Sequence, residues 1–140
     1  MSSHEGKRFV VDTNVLISHL LIPDSTPGKA LKFALSMGEL LVSDDTLTEL
    51  AEVINRPKFD KYLSSQDRKK FFEVLAPLCI RVEIIRPVHA CRDPNDDKFL
   101  EVAINGSADF ILSGDSDLLT LHPFLDIPIF SPSQFLKQGN

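Results

Sequence analysis

The apolar positions of the chain fall into short continuous runs that alternate with helical patterns. Phe9-Val10-Val11 is the first run, and it ends abruptly in Asp12-Thr13-Asn14. An unbroken apolar run of this kind, followed by a helical repeat, reads as a strand buried on both faces of a parallel sheet. The repeat that follows, Val15, Leu16, Ile17, Leu20 and Leu21, predicts a helix capped by Thr13 or Asn14. Residues 23–26 break it. Pro27 then opens a second helix through Ala30, Leu31, Phe33, Ala34, Leu35 and Met37, closed by Gly38.

Leu40-Leu41-Val42 predicts a second strand, and Ser43 or Asp44 caps a helix that carries Leu47, Leu50, Val53 and Ile54 and stops before Pro57. A further helix is expected over 66–75. Residues 81–85 alternate as an edge strand would. The spacing predicts a helix over 94–105, a fourth strand over 108–112, and a turn at Ser113-Gly114-Asp115. A last strand at 128–130 and a closing turn at 133–136 complete the pattern. Strands alternating with helices specify an α/β fold, three layers around a mostly parallel sheet. One domain is expected over 8–136, with a flexible N-terminus at 1–7 and a tail at 137–140.

Composition narrows the function classes only slightly. With 140 residues, 43% of them apolar and 25% charged, the chain has the makeup of a soluble single domain. The longest apolar candidate for a membrane span, 9–22, is interrupted by Asp12, Asn14, Ser18 and His19. The polar start lacks a signal-peptide core, and two cysteines, Cys79 and Cys91, suit a reducing cytoplasm. The net charge of −5 argues against tight, sequence-independent grip on nucleic acid, despite basic clusters at Arg56, Lys58, Lys61 and at Arg68, Lys69, Lys70. It leaves room for a nuclease whose bound cations supply the missing positive charge.

Acids recur just beyond predicted strands or at helix starts: Asp12, Glu49, the cluster Asp93, Asp96 and Asp97, and the pair Asp115 and Asp117. Open α/β sheets bind ligands at the carboxyl ends of their strands. Projected at about 100° per residue, Asp96 lies within about 15° of the stripe formed by Phe99, Leu100, Val102, Ala103 and Ile104. Asp97 falls on the flank, with Lys98 and Glu101 on the wet side. An ionised acid facing inward is costly unless paired or bound to a cation. Asp93, before Pro94, reads first as a helix cap. Glu49 projects roughly 130° from the centre of its apolar face, as a solvated residue would. Asp115 and Asp117 also suit ordinary turn chemistry. Carboxylates without His or Cys partners favour hard ions, Mg²⁺ or Mn²⁺ rather than Zn²⁺. The histidines, His4, His19, His89 and His122, show no metal-ligand spacing.

Four ordered motifs, Val10-Val11-Asp12-Thr13-Asn14-Val15-Leu16-Ile17, Val42-Ser43 through Glu49-Leu50, Arg92-Asp93-Pro94-Asn95-Asp96-Asp97-Lys98-Phe99-Leu100 and Ser113-Gly114-Asp115-Ser116-Asp117-Leu118-Leu119, resemble the PIN-domain family. Within that family they look most like the toxins of prokaryotic toxin–antitoxin systems. The resemblance runs from about residue 8 to 136. It implies a sheet of order 3-2-1-4-5 and Mg²⁺- or Mn²⁺-dependent ribonuclease activity. By position, Asp12, Glu49, Asp96, Asp115 and Asp117 would be the catalytic acids, with Asp12, Asp96, Asp115 and Asp117 on the metal. Thr13, Asn14, Asp93 and Ser113 would support them. An RNA substrate, a cognate antitoxin and a homodimer are further implications. Two other readings of the residues stay open: a non-catalytic RNA- or partner-binding module, and phosphoryl transfer through Asp12. The latter lacks a second acid two residues on, where Asn14 stands.

Overall fold

The computed structural model describes residues 6–138. Five strands, β1 (Lys7–Val11), β2 (Gly38–Val42), β3 (Cys79–Arg81), β4 (Phe110–Leu112) and β5 (Ile129–Phe130), form one parallel sheet of order β3-β2-β1-β4-β5. Helices α1 (Thr13–Leu21), α2 (Thr26–Met37), α3 (Asp44–Ile54), α4 (Ser65–Leu75), α5 (Asp97–Asn105), α6 (Ser116–Leu119) and α7 (Pro132–Gln138) flank it. The expected three-layer fold and strand order are both present. Among the described residues no helix is long and apolar enough to cross a membrane.

The two faces of the sheet sort the apolar runs. Phe9, Val11, Leu40, Val42, Phe110 and Leu112 face a core filled mainly by α1, α2, α3 and α7. Val10, Leu41, Ile111 and Ile129 face the opposite core, closed by α5 and Leu118 of α6. Side chains alternate across a strand, so a run buried on both sides feeds both cores. Phe9, Phe110 and Phe135 stack in succession, with ring centroids 5.4 and 4.9 Å apart.

Several boundaries differ from the sequence expectation. The cap of α1 is Asp12 itself, whose carboxylate accepts from the Val15 N–H, and not Thr13 or Asn14. The third strand is Cys79–Arg81 rather than 81–85; beyond it only the Val82 N–H continues the ladder, to the Val42 carbonyl. Alternation persists there without pairing because a short edge strand soon runs out of neighbour. The helix expected over 94–105 is a 3₁₀ turn at Pro94–Asp96 followed by α5. Of the expected flexible start and tail, residues 1–5 and 139–140, with His4, lie outside the described residues, while Lys7 opens β1 and α7 continues to Gln138.

Gly38 sits where a strand begins against Lys7, its register partner. Its backbone is extended, so the constraint is contact: a Cβ there would lie 2.3 Å from the Lys7 carbonyl oxygen. Gly38→Ala is expected to cost at least about 2 kcal/mol, read as a lower urea midpoint at unchanged slope.

Candidate metal centre

The chain leaves β1 toward β2 on one side and β4 on the other, so the switch point of the sheet lies between the carboxyl ends of β1 and β4. Asp12 stands at the first end and Ser113-Gly114-Asp115 at the second, joined by the Asp12 N–H to the Leu112 carbonyl at 3.1 Å. Asp12 is 5% exposed, and both of its carboxylate oxygens accept hydrogen bonds. One carboxylate oxygen caps α1 through Val15 N–H at 3.0 Å. The other accepts from the Ser113 hydroxyl and from the Gly114 N–H. Burial pushes its carboxyl pKa up, these three donors oppose the rise, and the charge of Asp115 adds to it.

From Asp12 a chain of hydrogen bonds runs along the turn. The Ser113 hydroxyl accepts from the Asp115 N–H at 2.9 Å, and the Asp115 carboxylate accepts from the Asp117 N–H at 3.1 Å. Asp115 is thus the cap of α6 as well as a wall of the acid cluster. A carboxylate oxygen from each of Asp96, Asp115 and Asp117 lies within 4.8 Å of the other two. Burial and the neighbouring Asp115, with Asp93 and Glu49 beyond it, push the Asp96 carboxyl up to about 7. Like charges gathered this closely hold a proton, or a cation, between them. The donors are all hard oxygens, so the set fits an oxygen-preferring divalent ion.

Glu49 is placed differently from its projection. It is half-buried at the site, where its Oε2 accepts from the Thr13 hydroxyl at 2.5 Å. Its Oε1 accepts from Lys98 Nζ at 2.8 Å and Asn95 Nδ2 at 3.1 Å. Partial burial alone would raise its pKa, but Lys98, Thr13 and Asn95 together hold it below the ordinary carboxylate value. Glu49 therefore rivets α1, α3 and the start of α5 around the acid cluster. Lys98 and Asn95 are the residues that periodicity missed. Lys98 projects to the wet side, and only its distant partner turns it inward. Glu101, assigned to the same side, is likewise engaged, accepting from the Val88 N–H.

Asp96 does not lie along the core-facing stripe on which periodicity projects it. It reaches the acid cluster, but the acid buried at the start of α5 is Asp97, 8% exposed. Asp97 accepts from the Ala90 and Cys91 N–H groups at 3.0 and 2.7 Å. Burial would raise its carboxyl pKa, and those donors instead hold it low. A 100° step fails here because Asp96 closes a 3₁₀ turn, with φ −88° and ψ −11°, before α5 begins. Asp93 caps that turn through the Asn95 N–H and remains exposed. Thr13 and Ser113 touch Glu49 and Asp12 respectively, whereas Asn14 is exposed and bonds to no acid among the described residues.

Lys98→Met removes the only cation bonded to Glu49 among the described residues. The half-buried carboxylate is then left with Thr13 and Asn95, an expected cost of about 1–2 kcal/mol. Urea unfolding at neutral pH measures it, and the further change Glu49→Gln should recover part of the loss.

The PIN-domain profile matches residues 8–117. An uncharacterized protein of Methanocaldococcus jannaschii is 37% identical over 120 residues, 81% of this chain and 74% of that protein. Among solved structures, VapBC2 from Rickettsia felis, bound to a DNA fragment from its promoter, superposes with a TM-score of 0.59 at 9% identity. That match covers 89% of this chain and 98% of the other. FitAcB from Neisseria gonorrhoeae gives 0.55 at 18% identity over the same shares. At such identities the structural likeness speaks for the fold.

Proposed function

This chain belongs to the PIN-domain family, and on that premise we propose that it is a divalent-cation-dependent endoribonuclease, the toxin of a toxin–antitoxin pair. The observation that carries the reading is the meeting of Asp96, Asp115 and Asp117 within 4.8 Å, beside Asp12 at the switch point of the sheet. Asp12, Asp96, Asp115 and Asp117 would hold the ion, Mg²⁺ or Mn²⁺ by donor type. A cation bound there supplies Lewis acidity, activating water against the RNA phosphate and stabilising the departing oxygen.

The remaining roles belong to the protein. Ser113, Gly114 and Val15 fix the rotamer of Asp12, so its carboxylate is in place before substrate arrives. Glu49, held by Thr13, Asn95 and Lys98, keeps the Asp96 turn against α1. Burial and the neighbouring acids raise the Asp96 carboxyl to about 7, so a cation bound there would compete with its proton. A cognate antitoxin and a homodimer belong to the same family reading.

Incubation of the protein with defined single-stranded RNAs tests this. Internal cleavage in Mg²⁺ or Mn²⁺, abolished by EDTA and restored by excess Mn²⁺, is expected. RNA retained without cleavage under every divalent ion would instead favour the non-catalytic binding module.

A further inference from the structure

A cleft of about 250 Å³ opens on the α1 side of the acid cluster, and Asp12 and Asp115 form one of its walls. Its far side is built from α1 and from the starts of α2 and α7. Asn14 and Ser18 line it from α1, one helical turn apart and therefore on one face of that helix. Among the described residues neither side chain has a hydrogen-bond partner in the protein. Pro27 and Pro132 add apolar ring surface. No lysine or arginine lines this cleft, whereas Arg56 and Lys98 line a separate one beyond Glu49.

These features select a class of ligand. With Asp12 and Asp115 committed to the ion, the rest of the lining is uncharged and offers a phosphate or carboxylate no cationic partner. A flat, uncharged ring carrying donors and acceptors on its edge suits the apolar lining given by Val15, Pro27 and Pro132 and the amide and hydroxyl of Asn14 and Ser18. Single-stranded RNA presents such rings, splayed from its backbone, and proteins read them by stacking and edge hydrogen bonds. We infer that the cleft seats the nucleobase adjoining the scissile phosphate and gives the enzyme base selectivity at that position. The inference rests on the ribonuclease reading and deepens it.

The test compares RNAs that differ only in the base flanking the cut, together with one abasic at that position. Wild type is expected to show at least a tenfold spread in kcat/KM among the bases, with the abasic RNA at the slow end. Ser18→Phe, which fills the cleft, should collapse the spread to under threefold while cutting the abasic RNA at the wild-type rate. Ser18→Ala, which removes the hydroxyl without adding bulk, should narrow the spread at least threefold and covers the case in which the larger variant does not fold. Equal cleavage of all bases and of the abasic RNA by wild type would overturn the subsite alone, as would an unchanged spread in both variants. Failure to cut any RNA would overturn the nuclease reading, and the subsite with it.

Discussion

Asp12→Asn should lower RNA cleavage by at least about 10³-fold in kcat/KM, on the order of 4 kcal/mol of transition-state stabilisation, in a protein that still folds. The fold survives because asparagine keeps one acceptor for the Val15 N–H that Asp12 now caps. What it loses is the second oxygen, shared between Ser113 and Gly114, leaving the Gly114 N–H without its acceptor. That is about 1–2 kcal/mol against a typical stability of 5–15 kcal/mol, offset in part because a buried charge disappears. Circular dichroism and urea unfolding check the fold, and cleavage in saturating Mn²⁺ checks the activity. A variant that cuts as fast as wild type would remove Asp12 from the site.

Cations should also stabilise the protein, and by an amount that pH controls. The folded Asp96 carboxyl sits at about 7 against an ordinary value of 3.8. A raised folded value means that the protonated form favours folding. This contribution is full below the ordinary value and is lost as the pH climbs through about 7. The metal-free protein should therefore lose stability between pH 4 and pH 8 relative to Asp96→Asn, which has no charge to gather there. Mn²⁺ at 100 times its Kd adds about 2.7 kcal/mol at pH 8, or about 8 °C in Tm at this chain length. Asp96→Asn and Asp115→Asn should each abolish most of that gain. Thermal melts with and without Mn²⁺ at pH 5 and pH 8 measure both effects. An equal rise in the wild type and in both variants would mean that the ion binds elsewhere.

The two effects separate two kinds of acid within one site. Asp12 is bound by three donors and serves as a fixed floor, whereas Asp96 meets mainly other acids and holds its charge reluctantly. Glu49 is a third kind, neutralised by Lys98 and joined to three elements. Family position places Glu49 with the other acids, but its hydrogen bonds describe a residue that aligns its neighbours.

Much of this was legible in the chain itself. Unbroken apolar runs ending at Asp12 and Ser113 mark strands buried on both faces, since only a sheet covered on both sides needs such runs. Proline, glycine and serine at the helix ends set most boundaries, because capping is a local matter. The four acid motifs carried the family and, with it, the strand order. Tertiary structure alone decided the partners. Asp12 meets Ser113 across 101 residues, and Glu49 meets Lys98 across 49, so neither pairing has a periodic signature. The 3₁₀ turn at Pro94–Asp96 likewise sent Asp96 to the acids and Asp97 to the loop behind them. Periodicity reports which face of its own element a side chain occupies. Which other element waits there is set by the order of strands in the sheet, and that order brings the carboxylates together.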